Sequence, residues 1–214
     1  MFVLSVNVGI ARPIAAKSGR SGIDKRPVRT PVAVREPGAG GSGLAGDTIC
    51  DTANHGGRDQ AVHAYAREDL DRWEPELGAL RCGAFGENLT TSGVDVTGAV
   101  IGERWRIGRD VVLQVTVPRI PCRTFAVWLG RRGWVKTFVQ RAVPGTYLSV
   151  VTPGSISTGD TIEVEHRPDH DVTVGMVFRA VTAQPELLPR LVDVPELPED
   201  IRSRARARSP FVLD

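Results

Sequence analysis

The segment of this chain with the clearest chemical potential places one cysteine between two arginines. Cys122 lies between Arg119 and Arg123, shortly after an apolar run that ends at Pro118. Two nearby guanidinium groups favour the thiolate over the thiol, and the thiolate is the form that bonds a metal or attacks an electrophile. Free cysteine also often acts as a small buried hydrophobic residue, so a structural role for Cys122 stays open on local sequence alone.

The other two cysteines lack such surroundings. Cys50 is followed by Asp51, whose negative charge would raise a thiol pKa, and Cys82 has a single cationic neighbour, Arg81. We interpret both as structural. The three cysteines form no CxxC pair, which argues against a disulfide framework and against a zinc ribbon.

Further polar residues occur in short motifs that neither strand nor helix periodicity requires. These motifs are Gly46-Asp47, Asn54-His55-Gly56-Gly57, Phe85-Gly86-Glu87-Asn88-Leu89, the segment from Pro118 to Cys122, and Gly145-Thr146-Tyr147. His55 precedes two glycines that let the backbone turn tightly and approach a ligand closely. A lone histidine is also commonly structural, and a zinc site built from His55, His63 and an acid lacks a compact ligand motif. Glu87 and Asp47 suit a proton relay and a turn cap equally well.

Bulk composition indicates an ordinary globular protein. The 214 residues are 41% hydrophobic and 24% charged, which is enough for one domain with a substantial core, alone or with a small appendage. A net charge of +2 is too small to indicate a nucleic-acid binder. The start lacks the pattern of a signal peptide and no apolar run approaches a membrane span, so we expect a cytoplasmic protein without membrane or nucleic-acid partners.

Short strands with turn signals must position the polar motifs. Strands are predicted at 2–8, 31–34, 61–65, 100–107 (with a turn at 102–103), 111–117, 147–151 and 161–164, and helices at 67–77, 124–129 and 134–141. Turns at 153–154 and 158–160 are predicted to join the last two strands. This pattern predicts a mainly β fold with some α, a β-barrel with helical excursions, over residues 1–168. Residues 169–214 contain three further predicted helices, at 174–181, 186–191 and 199–207, and form a short helical C-terminal extension.

Taken in order, the motifs resemble the MOSC domain, which is named after the C-terminal part of molybdenum cofactor sulfurases, and most closely its YiiM-like branch. The resemblance covers roughly residues 43–165, from Gly43-Leu44-Ala45-Gly46-Asp47 through His55-Gly56-Gly57 and Cys122 to Gly159-Asp160. It implies a small barrel of the pyruvate-kinase-like type. The helical tail is similar to a shortened form of the three-helix extension of that branch.

The resemblance also implies roles for individual residues. The cysteine matching Cys122 either bonds the molybdenum of the pterin cofactor or carries a sulfur atom as a persulfide. His55 becomes a proton donor or a pterin contact, with Asp47 and Glu87 as further catalytic residues. The implied cofactor-binding residues are Arg119, Arg123, Asn88, Gly56, Gly57 and Tyr147.

Three functions follow as expectations. The first is a molybdenum-cofactor enzyme that reduces small N-hydroxylated compounds with electrons from a separate redox partner, since the sequence holds no flavin, haem or iron–sulfur motif. The second is a carrier that delivers sulfur or cofactor. Nothing around Lys136 resembles a pyridoxal-phosphate site, so that cofactor is expected in a partner sulfurase and not in this chain. The third, a cysteine hydrolase using Cys122 and His55, ranks below the others because no helix start is predicted at the cysteine.

Overall fold

A computed structural model describes residues 1–213 of the chain. Within them the strands are β1 (Phe2–Gly9), β2 (Arg12–Pro13), β3 (Arg20–Ser21), β4 (Lys25–Pro27), β5 (Val32–Val34), β6 (Val62–Ala66), β7 (Leu89–Ser92), β8 (Arg104–Ile107), β9 (Val111–Pro118), β10 (Thr146–Thr152), β11 (Gly154–Ile156) and β12 (Ile162–His166). The α-helices are α1 (Arg67–Asp71), α2 (Glu74–Leu77), α3 (Arg123–Leu129), α4 (Trp134–Arg141), α5 (Val174–Thr182) and α6 (Glu199–Ala207), and two 3-10 helices cover Arg58–Gln60 and Pro185–Leu191.

Eight of the strands form one sheet in the order β12-β8-β9-β10-β6-β7-β1-β4. Its neighbouring strands pair antiparallel, except β6 and β7, which are parallel. The pairs β11-β5 and β2-β3 form two smaller sheets. The mainly β architecture is therefore confirmed.

A closed barrel is not found in the described part of the chain. The ladder ends at β12 on one side and at β4 on the other, and β4 is three residues long and ends in Pro27, which has no N–H to extend a ladder. One isolated bridge pairs Phe2 with Thr161, and the Ile162 amide donates to the Met1 carbonyl at 2.9 Å. The start of β1 thus lies against the start of β12 without a continuous ladder between them.

Strand alternation directs apolar side chains into the core. In β8, Trp105 and Ile107 are fully buried while Arg104 and Arg106 are exposed, as expected for a sheet with one wet face. A second cluster is aromatic and includes Trp73, Phe85, Phe125, Trp134 and Phe138. This aromatic cluster packs beneath the loops that carry the polar motifs.

The C-terminal helices share the core of the sheet. α5 is capped by Thr173, whose side chain accepts from the Met176 amide at 3.1 Å, and its buried Val177 belongs to the same hydrophobic cluster as Val115 of β9. Leu188 of the second 3-10 helix belongs to that cluster too. A boundary near residue 168 stays a prediction, and no gap in the core marks it.

Local chemistry explains where the observed elements differ from the predicted ones. The helix predicted at 67–77 is divided into α1 and α2, because Pro75 lacks the N–H needed to continue α1 and instead occupies the first turn of α2. The residues of β4 and β7 are not predicted as strands, since each is short and gains its order from pairing with β1. β11 forms where the sequence predicts a turn at 153–154.

Candidate functional site

The polar motifs meet around one cavity. Its wall is formed by individual residues from segments 18–25, 48–60, 86–88 and 119–124, with His63 from β6 and Tyr147 from β10. Loops thus supply most of the wall, and the sheet supplies a rigid floor. Functional residues on loops above a rigid scaffold are a common arrangement.

Cys122 lies at the edge of this cavity, directly before the first residue of α3. Its backbone is extended (φ −133°, ψ 168°), and its carbonyl accepts from the Ala126 amide at 3.2 Å. Burial raises the pKa of the thiol, but a hydrogen bond from His55, the charge of Arg119 and the Phe125 amide more than offset this and bring the pKa to about 7. A large share of the thiol is therefore ionised at neutral pH. α3 begins directly after Cys122. The lack of a predicted helix start is therefore no longer a reason to rank a cysteine hydrolase below the other two functions.

The two arginines that flank the cysteine have different environments. Arg119 is buried, donates from Nη1 to the Phe85 carbonyl at 2.6 Å, and lies 3.6 Å from the centroid of the Phe125 ring. Arg123 is exposed and lines a separate groove. Only Arg119 therefore acts on the thiol from within the cavity, which corrects the expectation that both cations do so. Arg123 does not line the cavity, and its role in cofactor binding stays a prediction.

The glycines after His55 position the histidine and do not line the cavity. Both adopt positive φ, 81° at Gly56 and 80° at Gly57. A Cβ at Gly56 would lie 2.5 Å from the Gly40 carbonyl oxygen, and the Gly57 amide donates to the Gly41 carbonyl at 2.9 Å. The close approach that the sequence predicts is thus made to a neighbouring loop, and His55 itself reaches the cavity.

Asp47 is the centre of a buried hydrogen-bond network behind the cavity wall. Its carboxylate accepts from the Gly9 amide at 2.8 Å, from Ser42 Oγ at 2.7 Å and from Asn88 Nδ2 at 3.0 Å. It also forms an ion pair with Lys25, whose side chain is buried yet lines the cavity. Burial lowers the pKa of Lys25, against the opposing effect of Asp47. Asp47 therefore holds a cation at the wall and does not face the cavity itself.

Asn88 ties three segments together at the cavity wall. Its Oδ1 accepts from the His63 amide at 3.1 Å, and its Nδ2 donates to the Asn7 carbonyl at 3.2 Å as well as to Asp47. Both amide N–H groups are thereby used within the protein. Asn88 lines the cavity and offers a ligand only the remaining acceptor capacity of Oδ1.

Glu87 is fully buried and shapes a turn. Its carboxylate accepts from the Gly83 amide at 2.5 Å, the Phe85 amide at 3.0 Å and Thr90 Oγ1 at 2.8 Å. Burial raises the pKa of Glu87 against these hydrogen bonds. Because the side chain does not line the cavity, the turn-capping alternative fits the structure and the proton-relay alternative does not.

Sequence reasoning missed several wall residues, and three of them bear on the chemistry of the cavity. Lys25 is one of only three lysines in a chain with 24 arginines, and that rarity is the one signal it gives. Cys50, interpreted as structural, lines the same cavity as Cys122. Gln60 also lines the cavity, and its buried Oε1 has no hydrogen-bond partner within residues 1–213. An unsatisfied buried amide oxygen is costly and marks a place for a ligand donor.

Two aromatic groups complete the wall. The rings of His63 and Tyr147 lie 4.9 Å apart between centroids. Burial lowers the pKa of His63 well below its ordinary value, so its imidazole is neutral. Burial raises the pKa of Tyr147, which stays a phenol. Tyr147 is therefore at the cavity, as the resemblance implies.

Comparison with known proteins identifies the family. The MOSC domain model matches residues 51–163. The chain belongs to the MOSC domain family. It is 34% identical over 180 residues to the uncharacterized protein YflK of Bacillus subtilis, covering 83% of this chain and 79% of that protein. The crystal structure of YiiM from Geobacillus stearothermophilus is similar, with a TM-score of 0.78, 26% identity, and coverage of 97% of this chain and 98% of that one.

A further MOSC relative is longer. A protein named reductase from Gibberella moniliformis is 32% identical over 164 residues, which is 73% of this chain and 28% of that protein.

Within residues 1–213 no three His, Cys, Asp or Glu side chains form a metal-binding group, so the zinc alternative with His55 and His63 has no structural support. Over the same residues, no helix has the length and apolar character that crossing a bilayer requires.

Proposed function

We propose that this MOSC protein binds the molybdenum cofactor and reduces small N-hydroxylated compounds. The observation that carries the proposal is the Cys122 thiol, whose pKa is about 7 and which shares one cavity wall with Lys25 and Arg119. A soft sulfur anion beside two cations suits a thiophilic metal held by an anionic organic ligand.

The donor set of the cavity fits such a cofactor. Cys122 would hold the metal, and Lys25 and Arg119 would hold the phosphate of the pterin, since Arg119 uses one of its five N–H groups on Phe85. The unpartnered Oε1 of Gln60 is an acceptor suited to a pterin N–H. When bound, the cofactor supplies two-electron redox chemistry that no side chain of the chain provides.

The residues around Cys122 organise the proton supply. Reduction of R–NHOH consumes two electrons and two protons and releases R–NH2 and water. His55 lowers the pKa of the Cys122 thiol and is half-buried at the same cavity, so it can take protons from solvent and donate them at the site. Asp47 and Asn88 keep Lys25 and the β6 wall in place during this cycle.

Metal and pterin analysis beside an activity assay tests the proposal. Wild type, Cys122→Ser and the matched control Cys82→Ser are purified after cofactor-replete expression and assayed with a viologen dye and a hydroxylamine or amidoxime substrate. We expect molybdenum, pterin and turnover in wild type and Cys82→Ser, with both metal and turnover lost in Cys122→Ser. Wild-type protein that contains neither molybdenum nor pterin and shows no reduction would reject the proposal.

A sulfur-carrier function is the second candidate, because Cys122 is accessible, acidic for a thiol, and shares its cavity with Cys50. It predicts a mass increment of one sulfur atom on Cys122 after incubation with a pyridoxal-phosphate cysteine desulfurase, with no turnover of substrate by this chain alone. Lys136 is exposed on α4 and does not line the cavity, and the candidate assigns pyridoxal phosphate to the partner desulfurase. Absence of the increment in wild type would dismiss this candidate.

A further inference from the structure

A second depression is lined by residues of α3, α4 and the loop between them, and shares no lining residue with the cavity. We call it the basic groove. Apolar residues line it, namely Ala126, Val127, Trp134, Val135, Val139 and, from the C-terminal segment, Leu213. Four basic residues also line it, namely Arg123, Arg131, Arg132 and Lys136.

The charge of the basic groove is unbalanced. No acidic residue lines it within residues 1–213, although the net charge of the whole chain is only +2. Arg131 donates to the Glu76 carbonyl at 3.0 Å, whereas Arg123, Arg132 and Lys136 are exposed and form no ion pair within the described residues. Some exposed arginines outside the groove do pair with acids, as Arg106 does with Glu163. The groove therefore presents a local positive field around an apolar centre.

The basic groove is close to the reactive sulfur. α3 begins directly after Cys122, and Ala126 of the groove donates its amide to the Cys122 carbonyl at 3.2 Å. Trp134 packs on Phe125 with 5.4 Å between ring centroids, and Phe125 lies 3.6 Å from the Arg119 guanidinium at the cavity. One layer of aromatic side chains thus separates the groove from the site.

We propose that the basic groove docks a small acidic electron-transfer protein. This inference rests on the proposed function, which requires two electrons per turnover from outside the chain. Either two one-electron donors, each oxidised once, or one two-electron donor can supply these electrons. Together with two protons, they convert R–NHOH to R–NH2 and water. Charge complementarity steers such a partner, and the apolar centre gives it a contact surface.

Charge reversal in the basic groove tests the proposal. The test variant is Arg132→Glu with Lys136→Glu, and the control is Arg29→Glu with Arg109→Glu, two exposed arginines outside both depressions. Binding of a [2Fe–2S] ferredoxin and of a flavodoxin is measured by calorimetry at low and high salt, with protein that need not contain cofactor. We expect at least one of the two to bind wild type and the control, and the test variant to bind it about tenfold more weakly at low salt.

Turnover with two kinds of donor gives the second readout. In the test variant we expect the rate driven by the bound protein to fall about tenfold, while the viologen-driven rate stays at the wild-type value. If neither protein binds wild type, if the test variant binds as wild type does, or if the groove binds a DNA duplex in place of both proteins, the proposal is overturned. Protein binding with these charge effects by a wild type that holds neither molybdenum nor pterin after cofactor-replete expression, and shows no turnover, would overturn the proposed function and leave the docking surface standing.

Discussion

At the scale of single residues, the thiol of Cys122 gives the most direct prediction. Because its pKa is about 7, alkylation by iodoacetamide should accelerate as pH rises through 7 and level off near pH 8.5, roughly one and a half units above the pKa. His55→Ala removes one of the groups that stabilise the thiolate, so the midpoint of the rate profile should move to higher pH. Mass spectrometry of the Cys122 peptide after timed quenching measures both profiles.

Cys82→Ser is the control for this profile, since Cys82 does not line the cavity. Its Cys122 profile should match wild type. A Cys122 midpoint at the ordinary pKa of cysteine, about 8.5, would contradict the arrangement of His55 and Arg119 described above.

Lys25 should matter for stability as well as for binding. Lys25→Met leaves the buried carboxylate of Asp47 without its counter-ion, and breaking one side of a buried pair costs about 3 kcal/mol of unfolding free energy. Asp47→Asn in the same chain should restore part of the loss, because the buried charge is then gone. Urea unfolding of both variants measures this, and Lys136→Met, which changes an exposed lysine, should match wild type.

Much of the residue-level chemistry could be predicted, and its limits have a physical cause. Cys122, His55, Asn88, Arg119 and Tyr147 occur in motifs whose residue types are unusual for a strand or turn, and all line the cavity. By contrast, nothing in the sequence around Lys25 distinguishes it from an ordinary surface lysine. Only the pairing of β4 with β1 brings it beside Asp47, and that pairing joins segments that local patterns do not connect.

At the scale of elements, the loop carrying His55 depends on one glycine. Gly56→Ala would place a Cβ 2.5 Å from the Gly40 carbonyl oxygen, so the loop must shift and His55 should lose its contact with the Cys122 thiol. We expect the pKa of Cys122 to rise and its alkylation at pH 7 to slow by roughly fivefold or more. The same timed alkylation measures the change.

Gly78→Ala separates the clash from simple backbone strain. Gly78 has a similar φ of 75°, yet a Cβ there would have nothing within 4 Å. Both variants should lose about 1 kcal/mol of stability from strained φ, but only Gly56→Ala should alter the thiol. Equal Cys122 reactivity in the two variants would show that Gly56 does not position His55.

Element boundaries follow the local sequence where one residue decides them. α4 lies at the predicted positions 134–141, between Gly133 and Ala142, while the helix predicted at 67–77 is interrupted because of Pro75. Short strands such as β7 are different, since four residues with two threonines carry little periodicity. Such strands owe their order to neighbours distant in sequence.

At the scale of the whole molecule, the helical tail and the sheet should unfold together. Leu188 is fully buried in the cluster that also contains Val115 of β9. Leu188→Ala should therefore lower the unfolding free energy by about 2–5 kcal/mol. The loss should appear in one transition, seen alike by far-UV circular dichroism and by tryptophan fluorescence.

Leu187→Ala is the matched control for the tail, because Leu187 is the residue next to Leu188 and its side chain is only partly buried. It should cost clearly less than Leu188→Ala. Two separate transitions in wild type would instead support independent units on either side of residue 168.

The overall architecture could be predicted only in part. Alternating strands and turn signals correctly indicate a mainly β molecule, but closure of a sheet depends on the hydrogen-bond register of its two edge strands. Here β4 ends in Pro27, and one isolated bridge and a few backbone hydrogen bonds, not a ladder, join the start of β1 to the residues around the start of β12. No pattern within either segment contains that information.

The burial of Lys25 has a practical consequence for labelling. Of the three lysines, Lys17 and Lys136 are exposed, while Lys25 is shielded from solvent by its bond to Asp47. Amine-directed dyes and tethers will therefore attach at very few lysine positions. One of these, Lys136, lines the basic groove together with the consecutive arginines Arg131 and Arg132. A fluorophore or photo-activated cross-linker attached to Lys136 would report directly on a molecule that binds in the basic groove.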